Sequence, residues 1–350
     1  MRHYAWGDGR SIPNIVRIPP DGNTWAELWL GTHPAAPSAV RTATGIRPLR
    51  DVAGALPYLM KILGVGQPLS LQAHPSAEQA LAGYARERTA GVQQPLYSDP
   101  NAKPELVCAI TPFEMLYGLV DPSAAMPLLD SLGPAGQQLG RLVSEHGTAD
   151  AVELVLTEGF PELAALVEEC RAHRGAYQAH AGWIAALAAE YPNDRALAVA
   201  PLMNYHVLRP GDAIYVQAGV LHAYLRGAAV EIMGSSDNVL RGGFTAKPVD
   251  PIALVGIMDR HTGAPVRTET HVPSPGQVTY DSPGAPFQLW RIDLDGAMEV
   301  SASYGPELVL CIAGDAGAFE QGQAMYVAPG ETYSLAGRAT LFRATPAVGP

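Results

Sequence analysis

The apolar positions of this chain change their spacing twice. Up to about residue 120 they come in short runs, such as Tyr58-Leu59-Met60-Lys61-Ile62-Leu63 and Leu106-Val107-Cys108-Ala109-Ile110, broken by Pro and Gly. That pattern predicts many short strands joined by turns. From about 121 to 197, Ala, Leu and Glu recur at helical spacing, as in Asp150-Ala-Val-Glu-Leu-Val-Leu156 and Trp183-Ile-Ala-Ala-Leu-Ala-Ala-Glu190. Strand character returns from Tyr205 to Met233. The middle of the chain therefore reads as a helical insertion in a β unit.

A weak internal repeat predicts a second β unit. Ala213-Ile-Tyr-Val-Gln-Ala-Gly219 recurs as Ala324-Met-Tyr-Val-Ala-Pro-Gly330, each copy leading into a further short strand. The next strand carries His222 in the first copy and Tyr333 at the corresponding place in the second, and no histidine follows Gln323. The expected fold is mainly β, with two jelly-roll barrels and an inserted α-helical domain. Residues 1–120 plus 198–265 would form the catalytic barrel, 121–197 the helical insertion, and 266–350 a second, metal-free barrel.

Composition narrows the partners. The 350 residues carry a formal charge of −11, from 23 basic and 34 acidic side chains, and no Lys/Arg-rich run. Nucleic acid is an unsuitable ligand for such a chain, so a small anion would need a few well-placed cations. Hydrophobic residues make up 47% and charged ones 16%, enough for an ordinary globular core. Cys108, Cys170 and Cys311 are far apart and odd in number, which suggests reduced thiols and a cytoplasmic setting. Residues 1–20 have no apolar signal-peptide core, and no uncharged apolar run approaches membrane-spanning length.

Three segments suggest metal chemistry. In Ser70-Leu-Gln72-Ala-His74-Pro75, a strand would point Gln72 and His74 to one face and Leu71 and Ala73 to the other. In Lys103-Pro104-Glu105, Pro104 holds Lys103 extended, and Glu105 becomes the first outward-facing residue of an otherwise apolar strand; a solvated carboxylate at the strand mouth is the competing reading. The third segment runs from Arg209 through His222 to Glu231. If Arg226-Gly227 forms a two-residue hairpin turn, His222 faces Glu231 across it; a surface His–Glu pair is the alternative. Two imidazoles, a carboxylate and a carboxamide suit Zn²⁺ with an open position.

These residues resemble the type I phosphomannose isomerase family. The resemblance rests on Tyr4-Ala-Trp-Gly7, Trp25-Ala-Glu-Leu-Trp-Leu-Gly-Thr-His-Pro34, Pro68-Leu-Ser-Leu-Gln-Ala-His-Pro75, Lys103-Pro-Glu105 and Ser236-Asp-Asn-Val-Leu-Arg241-Gly-Gly, in the family's order. It implies a double-cupin zinc enzyme that interconverts mannose 6-phosphate and fructose 6-phosphate. The implied ligands of one Zn²⁺ are Gln72, His74, Glu105 and His222, and the active-site arginine is Arg241. The resemblance places Ser70, Lys103 and Lys247 in or near the substrate and phosphate pocket, with Trp6, Glu27, Lys61, Glu231 and Asp237 lining similar positions. Many relatives have His where Ala102 stands, so a proton-transfer role for that His cannot apply here. The chain is also somewhat shorter than is usual and starts almost at Tyr4, so either the customary first strand is missing or the start is wrongly assigned.

The implied reaction moves a proton between C1 and C2 through an enediol(ate). Arg241 keeps its charge throughout and can stabilise the enediolate or bind phosphate; Lys103 and Lys247 are point charges suited to phosphate. Glu231, Asp237, Lys103 and a metal-bound water are all possible bases, and Glu231 is preferred for its expected place opposite His222. A small phosphosugar is the expected partner of a monomer, without nucleic acid or membrane. Isomerisation of another phosphosugar, a non-catalytic sugar-phosphate-binding role and a metal-dependent oxygenase are the competing functions; Gln72 and the phosphate cations argue against the last.

Overall fold

The computed structural model describes residues 1–264, 267–317 and 319–347. The boundary expected between 265 and 266 lies outside the described residues. The molecule is mainly β, with two β units and a run of helices between strands of the first.

The first unit has two antiparallel faces that share one long strand, His222–Gly234. On one face the order is Glu27–Gly31, Tyr58–Val65, the C-terminal half of the long strand, Glu105–Ala109, then Ala213–Val216. On the other it is Leu240–Gly243, Leu71–Ala73, the N-terminal half of the long strand, Phe113–Leu119, then Met203–Leu208. Leu63, Val65, Val107, Phe113, Met115 and Ile214 fill the space between the faces.

Helices from Pro122 to Val199 cover the second face, where Leu71 and Ala73 pack with Leu156, Leu197 and Val199. The strand Leu71–Ala73 is thus apolar on its helix side and carries Gln72 on the other. Residues 1–120 also contain a helix, Ala77–Ala90, that the strand-like reading of this region omits. Only Ala80, Gly83 and Glu87 of it are buried, so it has no apolar stripe to reveal it. Its signals are local: Ser76 accepts from the Gln79 amide, Gln79 answers in a capping box, and Gly91 closes the end in a left-handed conformation.

The second unit is a six-stranded antiparallel sheet from Thr270 to Pro346. The strands following the two repeated phrases are long, not short: His222–Gly234 has 13 residues and Thr332–Pro346 has 15. The sheet surrounds a core of Ile292, Leu294, Val309, Cys311, Leu335 and Leu341. The two units meet over a second apolar layer, with Met60, Ile62, Leu106, Val230 and Ile232 against Phe287, Leu289, Leu308, Leu310 and Phe342. Tyr58 reaches across and donates to the carbonyls of Pro306 and Ala344, at 3.0 and 2.9 Å. No helix among the described residues is long and apolar enough to cross a membrane.

Candidate metal centre and active-site cavity

Strand register sets most of the site. On one face Arg241 pairs with Gln72, and Gln72 with His222. On the other, Trp29 pairs with Lys61, and Lys61 with Glu231. Directly paired residues share a face, so each row projects as a block into the space between the sheets.

His222 and Glu231 belong to one continuous strand; the hairpin expected at Arg226-Gly227 does not form. A regular strand would send residues at this odd separation to opposite faces. An irregularity between Tyr224 and Arg226 shifts the phase, and Gly227 passes through φ +124°. Before it, Ala223 and Leu225 face the helices; beyond it, Val230 and Ile232 face the second β unit. His222, Tyr224 and Glu231 are all left pointing inward. A Cβ at Gly227 would lie 2.5 Å from the Pro112 carbonyl oxygen, so the kink also needs the close approach that glycine permits.

At the inner end, His74, Glu105 and His222 bring their donor atoms within 4.8 Å of one another, all buried. Glu105 points into this interior rather than outward. The Nδ1–H of His74 donates to the Asn238 carbonyl at 2.8 Å, and that of His222 to the Val220 carbonyl at 2.9 Å. A carbonyl can only accept, so each imidazole presents the lone pair of Nε2 to the centre. These lone pairs face the Glu105 carboxylate, at 3.3 Å from Oε1 for His74 and 3.7 Å from Oε2 for His222. Acceptors facing acceptors require a cation between them. His74 Nε2 and Glu105 Oε2 find no hydrogen-bond partner among the described residues. The Gln72 amide lies 3.2 Å from His222 Nε2, and a half-turn would present its oxygen. Such separations match the roughly 3.3 Å between neighbouring ligands of a tetrahedral ion bound at about 2.0–2.1 Å. The donor set therefore fits zinc.

Charge around the centre is balanced by buried lysines. Lys103 Nζ lies 2.7 Å from Glu105 Oε1. Burial alone would raise Glu105, but the neighbouring His74 and Lys103 outweigh it and hold the carboxyl well below its usual range. Burial, together with His74, pushes His222 down to about 4, so it stays a neutral donor at pH 7. Lys61 sits 2.9 Å from Glu231 and 3.8 Å from Glu27, and Trp29 donates to Glu27 at 2.7 Å. Burial raises Glu231 above the usual carboxylate range despite Lys61, and Glu105 adds to the effect. The Tyr224 hydroxyl donates to Glu231 Oε1 at 3.3 Å.

The centre opens into a cavity of about 410 Å³ lined by Trp6, Glu27, Lys61, Ser70, Gln72, Lys103, Glu105, Glu231, Asp237, Arg241 and Lys247. Ser70 donates to Gln72 Oε1 at 3.2 Å. Trp6 stacks on Tyr4, and Lys247 lies 6.0 Å from the Tyr4 ring. Burial lowers both Arg241 and Lys247, and for Lys247 the nearby Arg241 adds to it. A cation weakened by its neighbours is one that an incoming anion would relieve. Asp237, four places from Arg241 in sequence, is matched instead with His33, at 3.5 Å from its Nε2. Lys103, expected among the phosphate cations, lies beside Glu105 at the inner end.

The comparisons with known proteins agree with this geometry. Residues 1–120 match the family described as phosphomannose isomerase type I, catalytic domain. Over 96% of its length the chain is 30% identical to mannose-6-phosphate isomerase of Escherichia coli (strain K12), covering 93% of that protein. The chain belongs to the type I phosphomannose isomerases. It is also 28% identical to mannose-6-phosphate isomerase 1 of Arabidopsis thaliana, over 90% of this chain and 83% of that one. A mutant of phosphomannose isomerase from Salmonella typhimurium has a similar crystal structure, with a TM-score of 0.84, 27% identity, and coverage of 99% of this chain and 97% of that one. Mannose 6-phosphate isomerase bound with zinc and yttrium gives a TM-score of 0.82 at the same identity and coverage.

Several residues of this type I site escaped the sequence reading. Tyr224 and Trp29 were visible as the inward-phase neighbours of His222 and Glu27. Asn238 holds the wall together: its carbonyl fixes His74, Oδ1 accepts from Ser98 at 2.7 Å, and Nδ2 donates to the Asp99 and Asn101 carbonyls at 2.7 and 2.8 Å. The Ser236-Asp237-Asn238 segment thereby anchors the loop leading into Lys103-Pro104-Glu105. Glu190 and Tyr191, from the end of the helical segment, line the cavity and carry no local motif.

Proposed function

We propose that this cavity isomerises mannose 6-phosphate and fructose 6-phosphate by proton transfer between C1 and C2. The chain is a mannose-6-phosphate isomerase, and zinc is its cofactor. The observation that carries the reading is the pair of buried acceptors without a hydrogen-bond partner among the described residues, His74 Nε2 and Glu105 Oε2, beside a carboxylate of raised proton affinity. Held by His74, Glu105, His222 and the Gln72 carboxamide, zinc would supply Lewis-acid polarisation of a sugar oxygen.

The remaining roles fall to side chains. Glu231, as carboxylate, takes the carbon-bound proton and returns it to the adjacent carbon. Lys61 balances its charge, and Tyr224 orients Oε1. Lys103 and Arg241 face the negative charge that develops on oxygen. Lys247 and Ser70, with Arg241, receive the phosphate at the outer end, while Trp6, Glu27 and Asp237 shape the walls. This polarity along one cavity supports an open-chain phosphosugar lying with its carbonyl inward.

The two β units are read as cupin barrels, residues 1–120 plus 198–265 being catalytic, 121–197 the helical insertion and 266–350 the second barrel. Two faces sharing one strand around an interior core support the barrel assignment for the first. Work as a monomer in the cytoplasm is part of the same reading, supported by three free, buried cysteines and by exposed large apolar side chains dispersed along the chain.

The test is metal content measured with isomerase activity on mannose 6-phosphate, before and after chelation. Loss of activity with zinc, and its return on adding zinc back, is expected. Full turnover by metal-free protein would overturn the reading.

A further inference from the structure

The helical segment ends against the strand that carries Arg241. Asp194 follows the helix Gln178–Glu190 and is partly buried. Its Oδ2 accepts the Phe244 N–H at 2.6 Å, and its Oδ1 accepts the Ala196 N–H at 2.9 Å. One carboxylate thus fastens the end of the helical segment to the backbone just beyond Leu240–Gly243.

That backbone is under constraint. Phe244 adopts φ +55°, a left-handed conformation that an L side chain takes only when its surroundings hold it there. The strand is irregular between Arg241 and Gly243. A Cβ at Gly243 would lie 2.4 Å from Ala196 Cβ and 2.5 Å from Asp194 Oδ1, and one at Gly242 would lie 2.4 Å from Leu254. The turn is therefore pressed between the helices and the sheet with no slack. Arg241 stands on one side of it and Lys247 on the other, both lining the cavity, with Glu190 and Tyr191 beside them. Lys247 is held in turn by its amide, which donates to Thr245 Oγ1 at 3.1 Å.

We propose that Asp194 is a positioning residue for the anion-binding end of the cavity, fixing the Gly243–Phe244 turn so that Arg241 and Lys247 converge on the substrate phosphate. The proposal rests on the reading that these two cations receive the phosphate. It gives the helical segment a part in substrate recognition, although its helices hold none of the metal-ligand candidates.

The experiment uses zinc-loaded full-length protein with inorganic phosphate as the probe, alongside steady-state kinetics on mannose 6-phosphate. Asp194→Ala removes a charge-assisted contact. It is expected to weaken phosphate binding and raise KM about tenfold, with kcat changed less than about threefold and zinc content intact. Asp194→Asn keeps one acceptor oxygen, for the Phe244 or the Ala196 N–H but not both, and should recover part of the loss. Gly243→Ala strikes the same junction from the other side and should show the same split between KM and kcat. The proposal is overturned if phosphate affinity and KM stay within about twofold of the parent in Asp194→Ala, whatever Gly243→Ala does. It is equally overturned if kcat and zinc content fall in step with phosphate affinity. Lys247→Ala separates the layers. Unchanged phosphate binding there removes the anion site itself; weakened binding there, with Asp194→Ala unaffected, removes only the positioning role.

Discussion

Each of the two β units has a buried glutamate at a matching place, and they do opposite things with it. Pro104-Glu-Leu-Val107 in the first unit recurs as Pro306-Glu-Leu-Val309 in the second, and both glutamates open a strand. Glu105 stands opposite Val216 and Glu307 opposite Val327, the two valines of the repeated strand phrase. On the other side, Leu106 pairs with Ile232 and Leu308 with Ala344, so Arg343 occupies the place that Glu231 holds in the first unit. Trp290 likewise stands where Lys61 does. Glu307 is consumed by Arg343, whose Nε donates at 2.7 Å and whose second nitrogen bonds the other oxygen, under the rings of Trp290 and Tyr304. Glu105 instead has Lys103 beside Oε1 only and meets two imidazole lone pairs. A buried carboxylate must be neutralised; a guanidinium closes the site, whereas imidazoles leave it open to an ion that can take part in chemistry.

Removing an imidazole should separate the two units most sharply. His222→Ala is expected to lose bound zinc and to cut turnover by more than the roughly 100-fold that loss of an outer partner costs. Zinc stoichiometry by mass spectrometry and kcat would be read together, and a zinc-replete, active variant would end the ligand assignment. Glu231→Gln should follow, with kcat down about 10²- to 10⁴-fold and zinc retained. Its pH dependence has a definite sign. Only the ionised form can act as base, so kcat/KM falls as pH drops through its pKa. Because burial raises that value, the acid limb should lie above the ordinary carboxylate range and disappear in the Gln variant.

Much of this site could be read along the chain because strands make residue spacing into geometry. Gln72 and His74 share a face by the two-residue period, and the apolar spacing between 121 and 197 falls where the helices from Pro122 to Val199 lie. What escaped reading was phase. Arg226-Gly227 has the composition of a hairpin turn, yet the chain runs straight through it with an irregularity. His222 and Glu231 end up on one interior face for a different reason from the one expected. No local signal separates these outcomes; the choice depends on Gly227 fitting against Pro112 and Phe113, remote in sequence. The helix Ala77–Ala90 was missed because it buries so little, and its capping box was the available clue. The Pro-Glu-Leu-Val repeat lay open in the sequence, but only the register shows what replaces Glu231.

In the second unit the same logic becomes a stability question. Arg343→Met would leave Glu307, 0% exposed, without its partner, and should cost about 3–5 kcal/mol. Thermal unfolding would report the loss while kcat on the surviving folded protein stays near the parent value. Replacing both partners, as Glu307→Leu with Arg343→Met, should recover most of it, since a well-packed apolar pair avoids desolvating two charges. A double variant as unstable as the single one would mean that the pair does more than neutralise itself.

The smallest effect concerns Tyr333, where the repeat places the counterpart of His222. Its hydroxyl is buried and finds no hydrogen-bond partner among the described residues, and burial pushes its pKa upward. An unsatisfied buried hydroxyl costs about 1–3 kcal/mol. Tyr333→Phe keeps the ring and removes only that oxygen, so it should stabilise the protein by about 1 kcal/mol without altering zinc content or turnover. The corresponding change in the first unit, His222→Phe, should be ruinous to activity because there the polar atom faces a cation. A destabilised Tyr333→Phe would show that the hydroxyl has a partner after all, and the second unit would then hold a polar centre of its own rather than a sealed ion pair.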